Sequence, residues 1–181
     1  MLTIYVSPRS QEIITADGQT MTVKGTFVRE EGVFVSLQDY KPPNDLNDVE
    51  IVLAKRSWRR RLKLSDNLKL AITQFLRAYH AKQNMSFDCY AFANMVDGLE
   101  KHKVPHLLRF WRLIRRPWLL PIGSVVFFCS DGSHFRHAAI FIGCGLFISV
   151  YGAGGDLEVA TLKDMKRDYK AKSILLATSQ T

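Results

Sequence analysis

Long apolar runs are missing from this chain. No stretch approaches the ~18 consecutive apolar residues that a membrane-spanning helix needs, so none is expected. The first residues, "MLTIYVSPRSQEIITADGQ", lack a basic segment followed by an extended apolar one, which argues against a secretory leader. Cysteine is scarce. Cys89, Cys129 and Cys144 are an odd number without a CxxC pair. That excludes a disulfide framework and a cysteine-rich zinc site, and it fits folding in a reducing compartment. Cytoplasmic synthesis is therefore expected, with any export routed through a signal-peptide-independent system. Negative charge is also in short supply, with 17 Asp+Glu against 25 Lys+Arg and a formal net charge of +8. A basic surface of this kind favours anionic partners such as acidic cell-wall polymers, lipid head groups or nucleic acid, without choosing among them. Internal repeats and low-complexity tracts are absent as well.

What is present suits one domain with a small appendage: 181 residues, 47% of them apolar. Residues 1–40 are rich in Val, Ile, Phe, Tyr and Thr, and the turn signals "ADGQ" and "EEG" divide them into strands. "KPPNDLND" (41–48) is a loop and the best candidate boundary, separating a β-rich segment, 1–48, from a main unit, 49–181. "EIVLAKRSWRRRLKL" (50–64) fits either strand or helix. "SDNLKLAITQFLRAYHAK" (65–82) predicts a helix capped by Ser65 or Asp66, with Leu68, Ile72, Phe75, Leu76 and Tyr79 on one stripe. A second helix is expected over 88–101 with Asp88 as its N-cap. Residues 103–121 are partly helical and broken by Pro105 and Pro117. Strands follow at 123–130, 137–143 and 146–152, with "GCG" as a tight hairpin turn, then a short helix at 161–169 and a closing strand at 172–178. This order predicts an α+β fold.

Cys89 opens the second predicted helix and aligns with Phe92, Ala93, Val96 and Leu99, so it can be a small core residue. It can also be a nucleophile. A thiol in the first turn of a helix feels the positive end of the macrodipole and the unpaired N–H groups there, which favour thiolate. The same N–H groups can receive an oxyanion. A nucleophile needs a base, and His137 is the candidate, because it opens the apolar strand "HAAIFIG". Alternatively, His137 marks where that strand emerges into water. If "GCG" is a three-residue loop, Ala139 opposes Ser149 and His137 opposes Tyr151. His137, Ser149 and Tyr151 then share one face, and a hydroxyl can orient the ring. A two-residue loop reverses the parity.

Three blocks resemble the NlpC-like cysteine peptidases: "FDCYAFANMV" their nucleophile helix, "LPIGSVVFF" their glycine-led central strand, and "HAAIFIGCGLFISVYG" their histidine-bearing hairpin. The resemblance covers roughly residues 79–152, with the blocks in the family's order. It implies a papain-like fold, a nucleophile helix packed on an antiparallel sheet, and hydrolysis of amide bonds in peptidoglycan stem peptides without a cofactor or metal. By that resemblance Cys89 is the nucleophile, His137 the base and then the acid, and Ser149 the third polar residue. Tyr79 stands near the family's oxyanion-assisting Tyr, and Asp88 matches an Asp that in some members contacts the substrate amine. The family places His, Asn or Gln where Ser149 stands and a small residue where Tyr90 stands, so both positions depart from its pattern.

Outside these blocks, 55–63 and 109–118 together hold ten Lys and Arg and three Trp. Arg interleaved with aromatic residues suits an anionic polymer or an anionic membrane surface, and equally a solvated basic face. The leading expectation is a cysteine amidase acting on a peptidoglycan peptide, deliverable as an effector with a cognate inhibitor or immunity protein and without a nucleic-acid partner. Two alternatives keep the fold: an acyltransferase, thioesterase or deamidase acting on lipid or host protein, and a non-catalytic binding module. Cys129, in an apolar strand, and Cys144, at a turn, read as structural. His134 and His137 lack zinc-ligand spacing with the cysteines.

Overall fold

A computed structural model describes residues 2–14, 20–30, 33–36, 49–55, 58–81, 88–96, 111–131 and 134–177. The chain opens with strands β1 (Leu2–Ile14), β2 (Thr20–Glu30), β3 (Val33–Ser36), β4 (Val49–Lys55) and β5 (Trp58–Leu62). They form a five-stranded sheet in the order β3-β2-β1-β4-β5. All its pairings are antiparallel except β1 with β4, which run parallel from Leu2↔Val49 to Val6↔Leu53. Within the ambiguous stretch 50–64, residues 50–55 and 58–62 are strand, and they complete the sheet begun by the N-terminal segment. Its inward residues Val49 and Ile51 are buried, and Glu50 accepts from Thr3 Oγ1 at 2.7 Å and pairs with Arg61 at 3.3 Å.

Two helices follow. In α1 (Asp66–His80), Ser65 Oγ accepts the Leu68 N–H at 3.3 Å, which satisfies one of the unpaired first-turn donors. Leu68, Ala71, Ile72, Phe75 and Leu76 make its buried stripe. In α2 (Cys89–Val96), Asp88 Oδ1 accepts the Ala91 N–H at 2.7 Å. Residues 97–101, expected to extend this helix, lie outside the described residues. The helices meet where Phe75 and Phe92 pack edge to face, with ring centroids 6.4 Å apart. No helix among the described residues is long and apolar enough to cross a membrane.

The remaining elements are β6 (Trp111–Leu113), a 3-10 turn (Pro117–Leu119), β7 (Val125–Cys129), β8 (Phe135–Gly143), β9 (Leu146–Val150), β10 (Leu157–Thr161), α3 (Leu162–Asp168) and β11 (Ser173–Ala177). The strands make an antiparallel six-stranded sheet in the order β10-β9-β8-β7-β11-β6. β10 went unpredicted, although Leu157 and Val159 are buried on either side of exposed Glu158 with the period of a strand.

Alternation along these strands builds two layers. Phe127, Ala138, Ile140, Ile142 and Ile148 join α1, α2 and the first sheet's Ile4, Val6, Val49 and Ile51 in one continuous core. Val126, Phe128, Ala139, Phe141, Phe147 and Ile174 belong to the opposite cluster, with Met165 of α3. The fold is α+β, with the six-stranded sheet as the middle layer. The Val159 N–H donates to Thr26 Oγ1 at 3.0 Å, tying β10 to the first sheet.

Candidate active site

The β8–β9 hairpin sets the register that matters. Its turn is the two-residue Cys144-Gly145, with φ of 54° and 73°. Positive φ at both positions matches the twist of a tight hairpin, and glycine adopts it without strain. A two-residue turn alone would have reversed the parity. A register shift between Phe141 and Gly143, which leaves Ile142 extra, restores it, and Ile140 faces Ile148. By the same register Ala139 falls opposite Ser149 and His137 opposite Tyr151.

The side chains follow that register. His137 Nε2 lies 2.8 Å from Ser149 Oγ, and both residues are buried. The Tyr151 ring packs 5.5 Å from the imidazole. Gly155 makes room for that tyrosine's loop, since a Cβ there would fall 1.7 Å from the Tyr151 carbonyl oxygen. Tyr169, just beyond α3, stacks on the imidazole with centroids 3.7 Å apart and planes 8° from parallel. Phe128 closes the far side at 6.2 Å. The ring is thus held by one hydrogen bond and a wall of aromatic side chains. Its other nitrogen, Nδ1, is buried and has no hydrogen-bond partner among the described residues. Burial pulls the His137 pKa down to about 3, so the imidazole rests neutral. The tautomer with the proton on Nε2 donates to Ser149 and leaves an open lone pair on Nδ1.

Cys89 begins α2 and is 6% exposed. Its sulfur lies against the peptide N–H of Ala138, the residue after His137. Burial pushes the thiol up to about 12. The Ala138 N–H opposes that rise, Asp88 adds to it, and the N–H groups of Cys89 and Tyr90 work against it. Tyr169 is close enough for a charge on the Cys89 sulfur to raise its own pKa, a smaller effect than its burial and the neighbouring Tyr151. Thiol and imidazole therefore approach the strand at the same peptide. They approach from different layers: Ala138 belongs to the layer of Cys89, and His137 packs with Phe128 and Tyr169 of the other. At rest Nδ1 is not hydrogen-bonded to the sulfur.

The other expected residues are placed as follows. Asp88 caps α2. Tyr79 lies on α1, with its ring 6.0 Å from Phe75, packed against the layer that contains Cys89. Tyr90 stacks on Phe127 at 6.4 Å beside the thiol. Cys129 is buried and Cys144 is exposed in the hairpin turn. His134 pairs with Asp131 at 2.6 Å on the surface. Among the described residues no three His, Cys, Asp or Glu side chains converge to hold a metal. Tyr169 was not anticipated: it lies 32 residues from His137 at the end of a polar stretch, and only the fold brings the two together.

The Ser149 hydrogen bond makes a direct prediction. Ser149→Ala leaves a second nitrogen of a buried ring unpaired, and is expected to cost about 1–3 kcal/mol. A lower urea midpoint at unchanged slope is the expected reading. An unchanged midpoint would show that the bond contributes nothing net.

No family model, no curated protein and no solved structure matches this chain.

Proposed function

We propose that the chain is a papain-like cysteine hydrolase that cleaves amide bonds in peptidoglycan stem peptides. The observation that carries the chemical half of this reading is the imidazole of His137: Nε2 is bonded to Ser149, Nδ1 has no partner among the described residues, and the Cys89 thiol meets the N–H of the next residue, Ala138. A buried unpaired nitrogen costs stability, and a base awaiting a proton accounts for its retention. The substrate class rests on the sequence resemblance.

The steps balance as an acyl transfer. Cys89 and His137 rest on different sides of β8, so the step requires the imidazole to turn towards the sulfur; Nδ1 then takes the thiol proton as Cys89 sulfur attacks the amide carbonyl. The carbonyl oxygen gains negative charge at the start of α2, where the Cys89 and Tyr90 N–H groups and the helix dipole stabilise it. His137 returns its proton to the departing amine and leaves a thioester. Water attacks the thioester, His137 accepting its proton, and the thiol is restored with release of the carboxylic acid. Tyr169 and Tyr151 pack the ring in its resting position, so catalysis begins with its release from that packing.

The test is digestion of purified peptidoglycan by the full chain. The expected products are fragments with new amino groups and no new reducing sugar ends. Intact stem peptides after prolonged incubation would overturn the substrate assignment. A second reading keeps the thioester and replaces water by another acceptor, as in an acyltransferase acting on lipid or protein. The exposed apolar side chains between Leu113 and Ile122 favour it, and acyl transfer to a supplied lipid would distinguish it.

A further inference from the structure

Four large apolar side chains stand exposed among the described residues: Leu113 at 52%, Trp118 at 68%, Leu119 at 68% and Ile122 at 47%. All four fall within ten residues, from Leu113 at the end of β6 to Ile122 in the connection to β7. Single exposed apolar residues are ordinary, but their confinement to one short segment is not.

The segment is not a frayed end. The Ile114 N–H donates to the Ile174 carbonyl at 2.9 Å, Pro117 is buried, and the Leu119 and Leu120 N–H groups close the 3-10 turn onto Arg116 and Pro117 at 3.1 and 3.2 Å. Ser124 Oγ then donates to the Pro121 carbonyl at 2.7 Å. A pinned turn therefore presents Trp118 and Leu119 outward, at an end of the sheet whose edge strand is β6.

Charge decides what this turn meets. Arg115 and Arg116, both exposed, sit between Leu113 and Trp118. From Lys101 to Ser130 the sequence has six Lys and Arg and no Asp or Glu. Trp and Leu side chains that insert between head groups, with Arg beside them to meet lipid phosphates, fit an anionic bilayer surface. A nucleic acid would reward the arginines and leave Leu119 and Ile122 in water.

We infer that the Leu113–Ile122 segment is a docking surface for anionic lipid bilayers, with Trp118 and Leu119 inserting and Arg115 and Arg116 contacting lipid phosphates. This surface operates independently of the Cys89 chemistry, so its failure would leave the hydrolase reading untouched.

The test is cosedimentation of the full chain with vesicles of phosphatidylcholine alone or mixed with phosphatidylglycerol. Binding is expected to the mixed vesicles, weakening as salt is raised. A Trp118→Ser, Leu119→Ser double variant and an Arg115→Glu, Arg116→Glu double variant are each expected to lose about ten-fold in affinity. These side chains are exposed, so thermal unfolding should be unchanged and will show that the variants fold. Failure to bind mixed vesicles, or variants that bind like the wild type, would overturn the proposal. So would equal binding to phosphatidylcholine alone that salt does not weaken.

Discussion

Cys89→Ala is expected to lower peptide release from peptidoglycan by at least about 10³-fold while leaving the fold intact. Alanine removes the only atom that can form the thioester. It removes little volume from a site whose neighbours, Ala138 and Phe92, are unchanged, so the stability cost should stay near about 1 kcal/mol. A thermal melt checks that term separately from turnover. Cys89→Ser should be nearly as inactive, because a hydroxyl is a poorer nucleophile and gains less from the positive end of α2. The control is Cys144→Asn: Cys144 is exposed in the hairpin turn at φ 54°, where asparagine is comfortable, and activity should be retained. Peptide release by Cys89→Ala at the wild-type rate would mean that the sulfur is a core atom and nothing more. The thiol's resting state sharpens the expectation. Pushed up to about 12, it is protonated at neutral pH, and alkylation by iodoacetamide without substrate should be slow.

How far the sequence could be read depended on whether the governing forces were local. α1 was legible because its cap, Ser65, and its stripe from Leu68 to Leu76 lie within one helix. Asp88 was legible as a cap for the same reason. The β4–β5 ribbon was not: Trp58–Leu62 carries three consecutive arginines, which no hydrophobic period marks as strand, and its pairing partner is supplied by β4. The hairpin lies between these cases. Its pairing was conditional on a three-residue loop, with a two-residue loop reversing the parity; the chain combines a two-residue turn with the extra residue Ile142. Two departures from regular geometry cancel, and Ser149 reaches His137. The stacking of Tyr169 on that ring depends on α3 folding back under the sheet, which no local pattern in "TLKDMKRDY" encodes. Nor did the sequence disclose that thiol and imidazole rest in different layers of the middle sheet, because that follows from which residue of β8 each one meets.

Stability is expected to form a plateau between about pH 6.5 and pH 9 and to fall on both sides, from two buried groups with opposite signs. His137 takes up a proton near 6.5 in the unfolded chain and only near about 3 when folded. Between those values the unfolded chain binds more protons, so stability is lost as the pH falls through this range, by up to about 5 kcal/mol for a gap that wide. Cys89 loses its proton near 9.0 when unfolded and near about 12 when folded. Above 9 the unfolded chain releases a proton that the folded one keeps, so stability is lost as the pH rises, by up to about 4 kcal/mol. Urea midpoints measured across the range, for the wild type and for His137→Gln and Cys89→Ala, separate the two limbs. Glutamine can still bond to Ser149 and does not titrate, so His137→Gln should flatten the acid limb, and Cys89→Ala should flatten the alkaline one. An acid limb that persists at full size in His137→Gln would assign it to carboxylates held below their ordinary range, such as Asp131 beside His134, and would remove the argument that the ring is held neutral. The proposed chemistry would use the same two groups. A neutral thiol and a neutral imidazole store no ion pair at rest, and a thiol that stays protonated at neutral pH is slow to oxidise.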